Sequence, residues 1–379
     1  MTDKVFAPIL LLSLLLAPAA SHGAPASFAT EIGLHFQLTA CGPGKQDLAA
    51  VYGAAYKRHC RAVKQIHKRY TTLWVARVNR FFAKHRPAGV PKRVVTPFSG
   101  GDLAALLAVF PQATEYTSIS LEASGDPRLI KRLKGRKLVA NLTEVRKTLK
   151  KYYGLAHHRT TSLRSHSLSS LTGELSFAVS ALQAHGYAPV DLRYFQIAAD
   201  GALKYVTAEE VAAVDKAGSA VGARKLFSNM ELHFRKGDGP HKIYRHMRQD
   251  LSNKGFHPTS PLYLHLKAKK AICGMVKAGS YLMPMKMFAN IRAFMLRNIA
   301  WMVADSTGPS PRQAAAAGLK QRFHGAYKGA FSWRKGSPGK HHDPQRLRVW
   351  GKQPKRWLPF RFGYPDNSQN NHLIIYTKK

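Results

Sequence analysis

Apolar residues are distributed along this chain in three ways: one unbroken run near the start, one long stretch at helical spacing, and a series of short blocks between glycine and proline turns. The unbroken run is Val5 to Leu16. The helical stretch lies between Gln46 and Arg86, where Val63, Ile66, Tyr70, Leu73, Val78 and Phe81 recur at helical spacing until Pro87 stops the run. The first short block, Val94 to Phe98, reads as a buried strand. It is followed by a tight turn, Ser99-Gly100-Gly101-Asp102, and by a helix from Leu103 to Phe110 with Asp102 in the cap position. Tyr116 to Leu121 is a second strand ending in Glu122, and Ser124-Gly125-Asp126-Pro127 is a turn.

Farther along, Asn141 to Tyr153 is a basic helix, His157 to Ser170 a polar loop, and Glu174 to His185 a helix. Asp191 to Ala198 and Ala202 to Val206 read as a hairpin across Asp200-Gly201, and Asn229 to Phe234 as a strand. The spacing predicts helices over Lys242 to Asp250, Leu262 to Ala278 and Phe288 to Val303, and a closing strand over Leu373 to Tyr376. This alternation predicts an α/β fold: a Rossmann-like sheet with a basic helical N-terminal arm (27–90) and an α+β C-terminal half. Residues 91–379 form the α/β domain, with a split near 155–172 left open.

The Val5 to Leu16 run is about 12 residues, short of the roughly 20 a spanning helix needs. It is flanked by small residues in A-x-A spacing, Ala17-Pro18-Ala19 and Ala24-Pro25-Ala26, and so reads as a secretory signal peptide over 1–26. The expected location is periplasmic or extracellular, and no transmembrane segment remains after signal removal. Cysteine usage fits export. Cys41 and Cys60 are the natural local bridge, and Cys273 lies in an apolar setting.

Charge changes the picture most. The chain carries 59 Lys and Arg against 20 Asp and Glu, a formal net charge of +39. No carboxylate occurs between Asp47 and Asp102, so the helical stretch bearing Arg61, Lys64 and Lys68 forgoes the usual intrahelical ion pairs. In the tail, Arg334, Arg348, Trp350, Lys355, Arg356 and Trp357 interleave rings with cations. Cations meet phosphates, sulfates or uronates while rings stack on bases or sugars. The expected partner is therefore a polyanion: nucleic acid, acidic polysaccharide, lipopolysaccharide or an anionic lipid surface.

Scarce acids make a short catalogue of candidate catalysts. Asp102 and Glu122 stand out because Ser99, Gly100 and Gly101 let the backbone approach a ligand, and Glu122 follows about 20 residues later, where a carboxylate holds a ribose hydroxyl in nucleotide-binding α/β folds. The full G-x-G-x-x-G is absent. The loop resembles that of methyltransferases, but a soluble nucleotide cofactor is implausible outside the cytoplasm, so a phosphate-bearing or sugar ligand is expected and no cofactor. Asp305, after an apolar segment and before Ser306-Thr307-Gly308-Pro309, is the third candidate. The chain's 18 histidines lack ligand spacing, so no metal is expected.

Several of these motifs together resemble a family of uncharacterised exported bacterial proteins. The resemblance rests on Thr96-Pro97-Phe98-Ser99-Gly100-Gly101-Asp102, Phe110-Pro111 and Leu121-Glu122-Ala123-Ser124-Gly125, and continues at Lys277 to Leu282, Phe288 to Arg292, Asp305 to Gly308, Gly325 to Tyr327 and Phe362 to Tyr364. It implies that the two halves fold together, and no reaction. Ala304 stands where that pattern has a second carboxylate, which argues against a paired-acid role at Asp305. Three functional expectations follow: polyanion association, an extracytoplasmic enzyme with its site at the glycine loop and Glu122, and adaptation to acid through scarcity of carboxylates.

Overall fold

The computed structural model describes residues 23–155, 173–279, 283–327, 344–354, 356–363 and 371–378. The signal run, the 157–170 loop, Arg334 and Lys355 lie outside these residues. Helix α1 (Ala29–Ala40) precedes α2 (Leu48–Tyr70), which opens at Asp47, whose carboxylate accepts the backbone N–H groups of Ala49 and Ala50 at 3.0 Å. One π-turn, Thr71–Val75, joins α2 to α3 (Ala76–His85). A Cys41–Cys60 disulfide fastens the end of α1 to α2.

The sheet begins with β1 (Arg93–Pro97), α4 (Leu103–Val109) and β2 (Glu115–Ser120). After β2 the chain makes α5 (Gly135–Leu155), α6 (Gly173–His185), β3 (Ala188–Ile197), β4 (Leu203–Tyr205), α7 (Ala208–Lys216), α8 (Ala220–Leu226) and β5 (Asn229–Arg235). Next come β6 (Lys242–Arg248), α9 (Pro261–Ala268), β7 (Ile272–Val276), α10 (Ala289–Asn298) and β8 (Ile299–Ala304). The last elements are α11 (Pro311–Ala316), β9 (Leu319–Gly325), α12 (Pro344–Gly351) and β10 (His372–Lys378).

Ten strands share one sheet in the order β4-β3-β5-β6-β2-β1-β7-β8-β10-β9. The centre, β6-β2-β1-β7-β8, is parallel, whereas β3, β4 and β5 extend one edge and β10 the other by antiparallel pairing. Strand β1 therefore sits where the order reverses: the chain steps outward to β2 and β6, then returns to place β7 on the opposite side.

Central strands are buried on both faces. Val94, Tyr116, Tyr244 and Met275 face a layer that includes α1 to α6, while Val95, Ile119, Met247 and Val276 face α9, α10 and α11. The helical segment 27–90, expected as an arm, is one of these layers: Ile32, Phe36, Val63, Val78 and Phe82 share a core with Val94. Its charged residues point outward because the opposite side of each helix is committed to that core.

Three predicted helices contain strands. Lys242 to Arg248 is β6, in which Tyr244 and His246 face the core while Arg245 reaches Glu231 at 2.6 Å and Glu115 at 3.0 Å. The stretch Leu262 to Ala278 divides into α9 and β7, with Lys270 in the left-handed region (φ 58°) between them. Phe288 to Val303 divides into α10 and β8. β7 and β8 are buried on both faces and lose the polar alternation that marks a half-exposed strand, so their sequences read like buried helix.

Candidate functional site at the carboxyl ends of the central strands

The loop after β1 is folded over the end of β2, with Ser99 N–H donating to the Ile119 carbonyl at 3.0 Å. Phe98 takes the left-handed conformation (φ 62°), as does Gly101 (φ 71°). Strain of this kind in a bulky residue persists only where surrounding structure enforces it, and it clusters at functional sites. The Phe98 ring packs against Phe288, with centroids 4.9 Å apart.

Asp102 occupies the cap position of α4, but its carboxylate does not cap the helix. It accepts the Ser99 hydroxyl and lies 3.3 Å from the Lys277 ammonium at the end of β7. All three side chains are buried. This ion pair bridges the loops after β1 and β7, across the point where strand order reverses. The carboxylate is thus buried and already paired in this arrangement.

Glu174 of α6 lies behind the glycine loop, buried beside His246 of β6. Nε2 of His246 donates to the Glu122 carbonyl at 3.0 Å, leaving Nδ1 turned to a Glu174 carboxyl oxygen at 3.6 Å. Because that carbonyl can only accept, Nε2 must carry the hydrogen of this contact. Burial pushes the Glu174 carboxyl up to about 7; His246 and the Gly101 backbone oppose the rise, while the charges of Glu122 and Asp102 add to it. Asp102, Glu122 and Glu174 thus form one electrostatic group around the loop.

A cavity of about 240 Å³ opens beside this group, at the ends of β2 and β6. Phe98, Phe288 and Ile119 supply its apolar wall, Leu121 and Met287 flank it, and Glu122 and Asp250 add carboxylates. Asp250 is already engaged, accepting the Ser252 N–H and hydroxyl at 2.8 Å. The Glu122 carboxylate has no ion pair or hydrogen bond among the described residues. A part-buried acid on a cavity wall, with no partner among the described residues, can accept a ligand hydroxyl.

Asp305 does not join this group. It directly follows β8, two strands from β1, and its carboxylate accepts Ala278 N–H at 2.7 Å and Thr307 N–H at 2.8 Å. Gly363 packs so closely on it that a Cβ there would collide with the carboxylate. Asp305 therefore staples the loops after β7 and β8 to the tail.

The expected polyanion contacts divide by exposure. Arg61, Lys64, Lys68, Arg348 and Arg356 are exposed, and Trp357 is 81% exposed. Trp350 is buried instead, donating to the Gly325 carbonyl at 3.2 Å and packing on Phe323 and His372, so its ring cannot stack on a polymer.

Glu174, His246, Lys277 and Asp250 were not singled out from the sequence. His246 and Lys277 lie in or just after segments that read as helix; assigned as strands, those segments place Lys277 and Asp250 at carboxyl ends. Among the described residues no His, Cys, Asp and Glu cluster is placed to hold a metal, and no helix is long and apolar enough to cross a membrane.

Fold and site together define an α/β protein with a ligand-sized crevice at the carboxyl ends of its central parallel strands. Comparison with protein-family models, curated proteins and solved structures found no match.

Proposed function

We propose that this is an exported protein with a Rossmann-like sheet, whose crevice binds a small hydroxylated ring, a sugar or a ribose-bearing compound. The central parallel strands follow the Rossmann order, with β6, β2, β1, β7 and β8 in the places of its third, second, first, fourth and fifth strands. Ligands of such sheets lie outside the carboxyl ends of the strands, where this crevice opens. The observation that carries the reading is the Glu122 carboxylate, without a partner among the described residues, on an aromatic-walled cavity of about 240 Å³, room for one or two rings. Glu122 accepts ligand hydroxyls, Phe98 and Phe288 pack on the ring, and the Glu174–His246 pair supports the loop from behind. If chemistry occurs there, Glu122 is the acid positioned to touch substrate; Asp102 and Asp305 are not.

Titrating the purified protein with adenosine, glucose and glucuronate by calorimetry tests this. At least one should bind, and Glu122→Gln should weaken it about tenfold or more, as expected for loss of a charged hydrogen bond. No binding at millimolar concentration, or binding indifferent to Glu122→Gln, overturns the proposal.

Polyanion association is the second reading. It is supported by Lys57, Arg58, Arg61, Lys64, Lys68 and Arg69, which are exposed on α2 and have no carboxylate partner among the described residues.

A further inference from the structure

A second concavity, of about 340 Å³, lies between the end of α2, the π-turn, the end of α5 and residues 359–361. Arg69, Arg77, Lys150 and Arg361 contribute cations to its lining, Tyr70, Trp74, Tyr153 and Phe360 contribute rings, and among the described residues no lining residue is acidic. Its shape follows from the π-turn. The Thr71 hydroxyl donates to the His67 and Lys68 carbonyls at 3.0 and 3.1 Å, competing with the helical ladder where the helix widens. The widened turn stacks Trp74 on Tyr70 at 5.4 Å with 16° between ring planes, and leaves Leu73 47% exposed between two arginines. Inserted residues of this kind recur at functional sites. The far wall is pinned by Trp74 Nε1, which donates to the Arg361 carbonyl at 2.7 Å, and by Arg77, which donates to the Pro359 carbonyl at 3.3 Å.

We propose that this groove is the seat of an acidic polysaccharide chain, an assignment that rests on the polyanion reading above. Three observations select that ligand. Arg69 and Arg77 are eight residues apart, about 12 Å along a helix, too far for one small anion to bridge and suited to repeated anionic groups on a polymer. The four rings are buried and packed on one another, Tyr70 on Tyr153 at 4.3 Å and Trp74 on Phe360 at 6.0 Å, so no ring face is open for a base to stack. The site is concave, whereas a bilayer surface is flat. What it offers is guanidinium and ammonium donors beside Leu73 and ring edges, which matches sulfates or uronates carried on apolar sugar faces.

The test is binding of a heparin oligosaccharide at about 50 mM salt, beside an oligo(dT) of equal charge and phosphatidylglycerol vesicles. The variants are Arg69→Ser with Arg77→Ser, Leu73→Glu, and a control pair of exposed cations away from the groove, Lys216→Ser on α7 with Lys225→Ser on α8. The groove pair should weaken saccharide binding tenfold or more and lower the salt slope by about 1 to 2, since each lost anion contact removes about one unit. Leu73→Glu, at an exposed position that leaves the core intact, should weaken it similarly, and the control less than threefold. Equal losses in groove and control variants overturn the site, and tighter binding of oligo(dT) or vesicles overturns the ligand class. If wild-type protein binds none of the three probes, the polyanion reading itself fails.

Discussion

The carboxyl group of Glu174 occupies the space that a side chain at Gly100 would need: a Cβ built there collides with Oε1. Glycine is required in the loop for this close approach. Gly100→Ala should destabilise the protein by about 1–3 kcal/mol, the usual cost of overpacking. Glu174→Ala removes the obstacle, so the double variant should recover part of that loss. A double-mutant cycle by urea denaturation measures the coupling, and strict additivity would show that the two residues do not meet.

Acid should destabilise this protein despite its few carboxylates. Burial holds His35 and His59 at about 4, below the 6.5 of an unfolded chain, and His67 and His324 are lowered to about 4 mainly for the same reason. Their neutral forms contribute fully above pH 6.5, and that contribution is lost as pH falls towards 4. Glu174, raised from 4.5 to about 7, acts oppositely: its contribution is complete below pH 4.5 and lost as pH rises through 7. Four histidines outweigh one glutamate, so Tm should fall between pH 6.5 and 4. Glu174→Gln, lacking the opposing term, should fall more steeply. A flat Tm over this range would restore the acid-adaptation expectation.

The buried Lys277–Asp102 pair joins the loops after β1 and β7. Lys277→Met leaves the Asp102 carboxylate buried without its counter-ion and should cost about 3–5 kcal/mol. Adding Asp102→Asn removes the stranded charge and should return much of that stability. Chemical denaturation of the single and double variants reads this directly; equal stability of the two would contradict it.

The tryptophans of the tail should part company in stability measurements. Trp350→Ala deletes a buried ring packed on Phe323, Tyr327 and His372 and should cost about 3–5 kcal/mol. Trp357→Ala removes a ring that is 81% exposed and should change stability by less than about 0.5 kcal/mol. Any loss of polyanion binding without loss of Tm should therefore follow Trp357, not Trp350.

Much of the site's first half was legible in the residues themselves. Val94 to Phe98, the two glycines, the Leu103 helix and the strand ending at Glu122 are short, bounded by turn residues and formed from neighbours in sequence, so local pattern suffices to place them. The pairing of Asp102 could not be read from the sequence, since its partner, Lys277, lies 175 residues away. Glu174 and His246 were missed for the same reason: nothing near either residue in sequence announces that α6 and β6 meet behind the loop.

By itself the sequence determined the α/β alternation, the glycine loop with its distant carboxylate, and a cationic exterior. Local spacing and composition suffice for these. Only the tertiary structure decided that β6, β7 and β8 are strands, that Asp102 meets Lys277 and Asp305 holds backbone N–H groups of two loops, and that Glu122 stands beside a cavity with no partner among the described residues. In β7 and β8 two-sided burial erases the alternation that would mark a strand, and the pairing of a charge depends on which distant residue the fold brings to it.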